Sequence, residues 1–126
     1  MEENKKYKFK PQDKKVIDIF TDLGMPKNIA KTLIYISQVE ECRSAEIEQG
    51  ANLRQPEVSV AMQELQNRGW IQKRYKKKKG KGRPLHLYKL SSTIDDIVQN
   101  FEEEKVKEIT NVKKDLTDLK TLINSL

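Results

Sequence analysis

The sequence predicts a mainly α fold with a small β-hairpin: a winged helix-turn-helix domain followed by a long C-terminal coiled-coil helix. Three observations predict it. Residues 44–68 read as a short helix, a turn and a longer amphipathic helix. Two β-forming runs within residues 70–90 then flank a lysine-rich loop that contains glycine. Residues 109–126, in the second part of a long predicted helix, carry apolar side chains at the spacing of a heptad repeat.

The composition fits one domain with an appended helix. The chain has 126 residues, of which 36% are apolar and 35% are charged. Such a low apolar fraction favours apolar surface that is shared with a partner chain. We therefore expect a flexible basic N-terminus at 1–11, a winged helix-turn-helix domain at 12–92 and a dimerisation helix at 93–126.

The first elements are predicted from helical spacing and helix-end signals. Amphipathic patterns indicate helices at 12–23 and 26–39, the second opened by Pro26. Ser44 is predicted to be the N-cap of a short helix at 45–49. A turn follows, and Leu53 is expected to fill the space beneath it.

The second helix of the helix-turn-helix is predicted at 56–68. Its start suits Pro56, and Val58, Met62 and Leu65 recur at the spacing of a buried stripe. Gly69 is expected to end it. The other face carries polar side chains that can reach base edges and phosphates, although ordinary surface polarity remains the alternative. These candidate DNA-binding residues are Arg54, Gln55, Ser59 and Gln63.

The hairpin is predicted to pair residues 70–75 with 85–90, with Trp70 in the core. Between Trp70 and Leu90 the sequence has nine Lys or Arg residues and no acid, although the whole chain carries a formal net charge of only +6. This local positive charge indicates a face that binds a polyanion, whereas a merely solvated lysine run is the alternative. The predicted wing contacts are Lys76, Lys77, Lys78, Lys79, Lys81 and Arg83.

The last helix is predicted to be a dimerisation element. At 1.5 Å per residue it would reach roughly 50 Å, longer than the small domain before it is wide. Pairing between two chains is therefore favoured over folding back, and the spacing leaves parallel and antiparallel pairing equally open. The seam residues are Ile109, Val112, Leu116, Leu119, Ile123 and Leu126.

Several classes of function lack support in the sequence. Cys42 and His86 are the only residues of their kinds, so neither an internal disulfide nor a Cys/His metal cluster is expected. No nucleophile motif or phosphate-binding loop is present, and we expect neither an enzyme nor a cofactor. The chain has no apolar run of about 20 residues for a membrane span and no apolar secretory segment. A reducing, cytoplasmic location is expected.

Residues 23–90 resemble winged-helix regulators of the TrmB and MarR type. The likeness rests on LGMPKNIAKTLIYI, on SAEIEQGANLRQPEVSVAMQELQNRGWI and on GRPLHLYKL. It implies sequence-specific binding of duplex DNA as a homodimer and control of transcription. Full-length TrmB-type regulators carry a large C-terminal sugar-sensing domain that this chain lacks, so sugar binding does not transfer.

The expected function is therefore a homodimeric, sequence-specific transcription regulator. Repression is the expected outcome, because blocking a promoter requires only binding. Two alternatives remain open: a winged-helix protein-interaction module of a transcription assembly, and a non-specific architectural nucleic-acid binder. No residue set marks a pocket for a small-molecule effector.

Overall fold

The computed structural model describes residues 7–76 and 85–126, which form two compact units divided after Thr93. The first unit contains four helices and a hairpin among its described residues, and the second is one long helix. This is the winged helix-turn-helix plan with a C-terminal helix that the sequence predicts. The elements are α1 Pro11–Asp22, α2 Lys27–Gln38, α3 Ser44–Ala51, α4 Gln55–Asn67, β1 Ile71–Lys76, β2 Leu85–Leu90 and α5 Ile94–Asn124.

Helix α2 is the centre of the first unit, in contact with α1, α3, α4 and β2. Its sequence KNIAKTLIYISQ supplies apolar side chains to several sides, and Leu33, Tyr35 and Ile36 are almost completely buried. A helix that is apolar around much of its circumference belongs inside a core. The other helices each bury a single stripe against it.

A turn joins α3 to α4 as predicted, but it is shorter than expected, because α3 ends at Ala51 rather than at residue 49. Asn52 adopts the left-handed conformation at φ 57°, which asparagine tolerates better than most residues. Leu53 follows it and is buried beneath the turn. At the far end of α4, Gly69 lies at φ 77° and redirects the chain into Trp70, which is buried in the core as expected.

The helix starts differ from the predicted ones by a residue. Ser44 is the first residue of α3, so its assignment as N-cap is wrong; the N-cap is Arg43. Glu46, the third residue of the helix, accepts the backbone N–H of Arg43 at 2.8 Å. A carboxylate at this position satisfies an N–H that the helix leaves open and complements the helix dipole. The cap of α3 is therefore a carboxylate inside the helix rather than the predicted hydroxyl before it.

The hairpin is antiparallel and pairs Ile71 with Leu90 at its base and Lys76 with Leu85 at its outer end. A second backbone contact anchors β2 on its other side. The N–H of Cys42 donates to the carbonyl of Tyr88 at 3.0 Å, and the N–H of Tyr88 donates back at 2.8 Å. The connection between α2 and α3 therefore fixes the base of the hairpin.

Part of the predicted flexible terminus lies on the first unit. The rings of Tyr7 and Phe9 meet the buried ring of Tyr35 edge-on, with centroids 5.7 Å and 6.3 Å away. The Tyr7 hydroxyl also donates to the carboxylate of Asp13. Residues 1–6 of that predicted terminus lie outside the described part of the chain.

Helix α5 is continuous from Ile94 to Asn124, so the long last helix that the sequence predicts is present. From Ile109 onward its apolar side chains are exposed: Ile109 is 54% exposed and Leu116 is 51% exposed. The helix itself is therefore confirmed, whereas its pairing with a second chain stays a prediction.

Candidate nucleic-acid interface

The exposed face of α4 carries the predicted base-reading residues. Gln55, Ser59 and Gln63 recur every four residues and are all exposed to solvent. Arg54 precedes the first turn, with 82% of its side chain exposed. The opposite face buries Val58, Ala61, Met62 and Leu65. Burial of one face therefore fixes the helix in an orientation that presents the other.

The acids of α4 are bound to cations of the same helix. Glu57 accepts the backbone N–H of Arg54 at 2.8 Å and lies 3.2 Å from its guanidinium, and the backbone bond is the main reason why the pKa of Glu57 is lowered. Glu64 accepts from the Nε of Arg68 at 2.9 Å. Because a cation lies beside each carboxylate, the exposed face of α4 repels phosphate less than two unpaired acids would.

The side-chain amide of Gln63, one of the predicted DNA-binding residues, is held by a neighbouring side chain. The Nε2 of Gln63 donates to the Oδ1 of Asn67 at 3.1 Å, one turn further along the exposed face. An amide held in this way keeps its second N–H and its carbonyl oxygen for another partner. These are the donor and acceptor that adenine pairs with in the major groove.

The face of α4 continues onto the hairpin. Gln55, Ser59 and Gln63 line the same shallow depression as Lys73 and Tyr88, which face each other across the two strands. Strand alternation places Tyr75 and His86 on this side too, where their rings meet edge-on at 4.7 Å. Lys73 was not among the predicted wing contacts. The alternation of β1, read relative to the buried Ile71, would have identified it.

The other face of the hairpin is partly neutralised. The Nε and Nη2 of Arg74 both donate to the Glu41 carboxylate, with Nη2 at 2.9 Å from Oε1. Lys76, a predicted wing contact, borders a depression with Glu41 and Glu46 on this face. The basic run at 70–90 contains no acid, but in the folded chain Glu41 and Glu46 lie beside two of its cations. The predicted contacts Lys77, Lys78, Lys79, Lys81 and Arg83 lie outside the described residues.

Val60 is a further candidate that the sequence analysis missed. It follows Ser59 on α4 and is 67% exposed, although valine is usually buried in the hydrophobic core. Its place off the Val58 stripe is the signal that would have found it. Methyl groups on a recognition helix can contact the C5-methyl of thymine.

Other chemistry finds little support in the described residues. No group of three or more His, Cys, Asp or Glu side chains there could hold a metal ion. Burial, followed by the nearby carboxylates of Glu46 and Glu41, raises the pKa of the Cys42 thiol to about 12. The thiolate that nucleophilic chemistry needs is therefore scarce. No helix over 7–76 and 85–126 has the length and apolarity that a membrane crossing needs.

The solved structures that resemble this chain include two Pex proteins. No protein-family model matches the chain, and no curated protein matches it. The crystal structure of Pex from Synechococcus sp. is 19% identical with a TM-score of 0.47, over 76% of this chain and 96% of that one. The circadian clock associated protein Pex from Anabaena is 22% identical with a TM-score of 0.44, over 82% and 95%. At these values the likenesses give no information on the chemistry of this chain.

Proposed function

We propose that this protein is a sequence-specific, duplex-DNA-binding regulator of transcription that acts as a homodimer and represses the promoters it occupies. One observation carries the proposal. The exposed polar face of α4, whose acids lie beside cations, continues into the Lys73 face of the hairpin. A second helix of a helix-turn-helix with such a face suits the major groove, with the wing on the flanking backbone.

The exposed residues at the start and along the face of α4 are suited to different bases. Arg54 can bind the O6 and N7 of guanine, and Gln55 and Gln63 can bind the N6 and N7 of adenine. Ser59 suits either partner, and Val60 suits thymine. Each good bidentate pair would discriminate between bases by roughly 1–3 kcal/mol.

The wing supplies affinity rather than specificity. Lys73 and the lysines from Lys76 to Lys81 would contact phosphates, and Arg83 would reach the backbone or minor groove. Lysine–phosphate contacts carry no sequence information, but they make binding strongly dependent on salt. Two wings that neutralise about five phosphates would give a log–log slope of about −4 to −5.

A salt series tests the phosphate contacts. Binding to random-sequence duplex DNA is measured for the native chain, for Lys78→Ala/Lys79→Ala, and for Lys107→Ala/Lys114→Ala. The last pair removes the same charge from exposed positions of α5. We expect only the wing variant to flatten the salt slope. Each wing loses two lysines, so the slope should change by about 2 for each wing that contacts the duplex. Absence of duplex binding by the native chain at low salt would overturn the proposal.

Selection from a randomised duplex pool tests base reading. Gln55→Ala/Gln63→Ala should lose preference at defined positions while keeping its salt slope, because the phosphate contacts remain. Gln12→Ala/Gln99→Ala, which changes exposed glutamines of α1 and α5, is the matched control. An unselective native chain would indicate the architectural binder instead.

A protein-interaction module is the second candidate, and the exposed apolar residues of α5 favour it. Leu116, Leu119 and Ile123 are each more than half exposed. On that view the helix pairs with a different protein. A native chain that stays monomeric and binds no duplex DNA would favour this candidate.

A further inference from the structure

From Ile109 onward, apolar side chains of α5 occupy the two core positions, a and d, of a heptad repeat. Written abcdefg, the repeat places Ile109, Leu116 and Ile123 at a, and Val112, Leu119 and Leu126 at d. All six are at least 51% exposed. Isoleucine at two of three a positions with leucine at two of three d positions is the combination that favours two-stranded coiled coils. The seam therefore fits one further helix.

Charged residues flank this seam with opposite signs on its two sides. Glu108 and Asp115 occupy successive g positions, and Lys113 and Lys120 occupy successive e positions; all four are exposed. The third g position holds the apolar Leu122. In the single helix, Glu108 accepts a hydrogen bond from Lys105 at 3.1 Å. Such an exposed ion pair contributes little to stability, so a contact with a partner helix can replace it.

The sign pattern distinguishes the two ways of pairing. In a parallel, in-register pair each g residue meets the e residue of the next heptad on the other helix. Glu108 then meets Lys113 of the second copy, Asp115 meets Lys120, and the two-fold axis repeats both contacts. In an antiparallel pair g meets g and e meets e, so acids would meet acids and lysines would meet lysines.

From this complementarity we infer that α5 pairs with a second copy of the same chain in parallel and in register. The inference rests on the homodimer of the proposed function and gives it an orientation. Because each helix begins at Ile94, directly after the first unit, parallel pairing brings both winged units to one end of the coiled coil. Both recognition helices would then serve one operator with two half-sites.

A charge-reversal series tests the e and g contacts. Lys113→Glu/Lys120→Glu converts four attractive contacts into repulsive ones, and the dimer dissociation constant should rise on the order of 50-fold. Adding Glu108→Lys/Asp115→Lys restores opposite charges and should restore the dimer. Lys107→Glu/Lys114→Glu makes the same change at f positions, away from the seam, and should leave the dimer nearly intact. Analytical ultracentrifugation measures all four chains.

The series also has a result that contradicts parallel pairing. In an antiparallel dimer the e lysines already repel each other, so Lys113→Glu/Lys120→Glu would leave the dissociation constant unchanged. Raising the salt concentration would strengthen such a dimer, whereas it should weaken the parallel one.

Single-cysteine crosslinking supplies an independent readout in a Cys42→Ala background. Leu126→Cys should oxidise to a covalent dimer with itself, because d faces d in a parallel pair. A mixture of Ile109→Cys and Leu126→Cys that instead joins residue 109 to residue 126 would establish antiparallel pairing and overturn the inference, while DNA binding stayed untouched. A chain that is monomeric at every concentration would overturn both the inference and the proposed homodimer.

Discussion

The two units of the chain treat their apolar side chains in opposite ways. In the winged unit, Leu33, Ile47 and Leu65 are 0% exposed, and Tyr35 is equally buried. In the last helix, Leu119 is 55% exposed although it lies in a regular apolar stripe. The first unit uses its apolar residues to specify its own fold. The second unit buries Ile97 and Phe101 but displays its apolar side chains from Ile109 onward, which is the expected property of an element that pairs with another molecule.

Leucine-to-alanine substitutions give the largest expected contrast. Leu33→Ala leaves a cavity beside the other core side chains of α2, so the free energy of unfolding should fall by about 2–5 kcal/mol. Leu116→Ala should leave the unfolding of the winged unit unchanged at low protein concentration and weaken the dimer instead. Urea titrations at two protein concentrations measure both effects. If both substitutions lowered the free energy of unfolding equally, Leu116 would belong to a folded core, and the contrast between the two units would be wrong.

Thiol reactivity sharpens the same comparison. Burial and the carboxylates of Glu46 and Glu41 raise the pKa of Cys42 to about 12, against an ordinary value of 9.0. At neutral pH the thiolate population in the folded chain should therefore be lower by on the order of 1000-fold. Iodoacetamide labelling of Cys42 should be much slower than labelling of the new thiol in Lys114→Cys, because Lys114 is exposed at an f position away from the seam. Fast labelling of Cys42 without denaturant would contradict its burial.

The glycines of the winged unit differ in what a methyl group would meet. A Cβ on Gly50 would lie 2.1 Å from Cε2 of the buried Tyr35 ring, so Gly50→Ala should destabilise the chain by about 1–3 kcal/mol. A Cβ on Gly69 meets nothing within 4 Å, and only its φ of +77° opposes substitution. Gly69→Ala should therefore lose about 1 kcal/mol, from backbone strain alone. Thermal unfolding of the two variants compares them directly; an equal loss would mean that the Tyr35 ring can move.

The Glu41–Arg74 pair gives the smallest expected effect. Its hydrogen bond lowers the pKa of Glu41 below the ordinary value of 4.5, so its contribution to stability is present above that value. The contribution is lost as the pH falls through the lowered pKa. Because the pair is partly exposed, Glu41→Gln should lower stability at pH 7 by no more than about 0.5–1 kcal/mol. The difference from the native chain should disappear in acid, and Glu40→Gln is the control at the neighbouring exposed position.

Local patterns predict the elements well. The stripe of Val58, Met62 and Leu65, the turn before it and the pairing of the hairpin are all observed, because period and turn chemistry are properties of short segments. The seam of α5 is equally local. The starts of α1, α3 and α4 are off by a residue, and in each helix a carboxylate at the third position accepts the N–H of the residue before the helix.

Contacts between distant segments account for what the sequence did not predict. Arg74 and Glu41 are 33 residues apart, so nothing in the basic run indicates the acid that binds it. Lys73 lies beside the exposed polar face of α4 only through the register of the strands. The contact of Tyr7 with Tyr35 similarly depends on how α2 lies in the core. Such placements follow from packing rather than from periodicity.

The backbone bridge between Cys42 and Tyr88 has a consequence for solubility. It covers β2 on its outer side near the base of the hairpin, so among the described strands β1 is the open edge. Open edges invite strand addition and aggregation unless charges keep other chains away. Lys73 and Lys76 stand along this edge, so cations that we propose to contact phosphate would also keep other chains away from it. If the proposed function holds, neutralising both lysines should lower DNA affinity and colloidal stability together, and light scattering would separate the two losses.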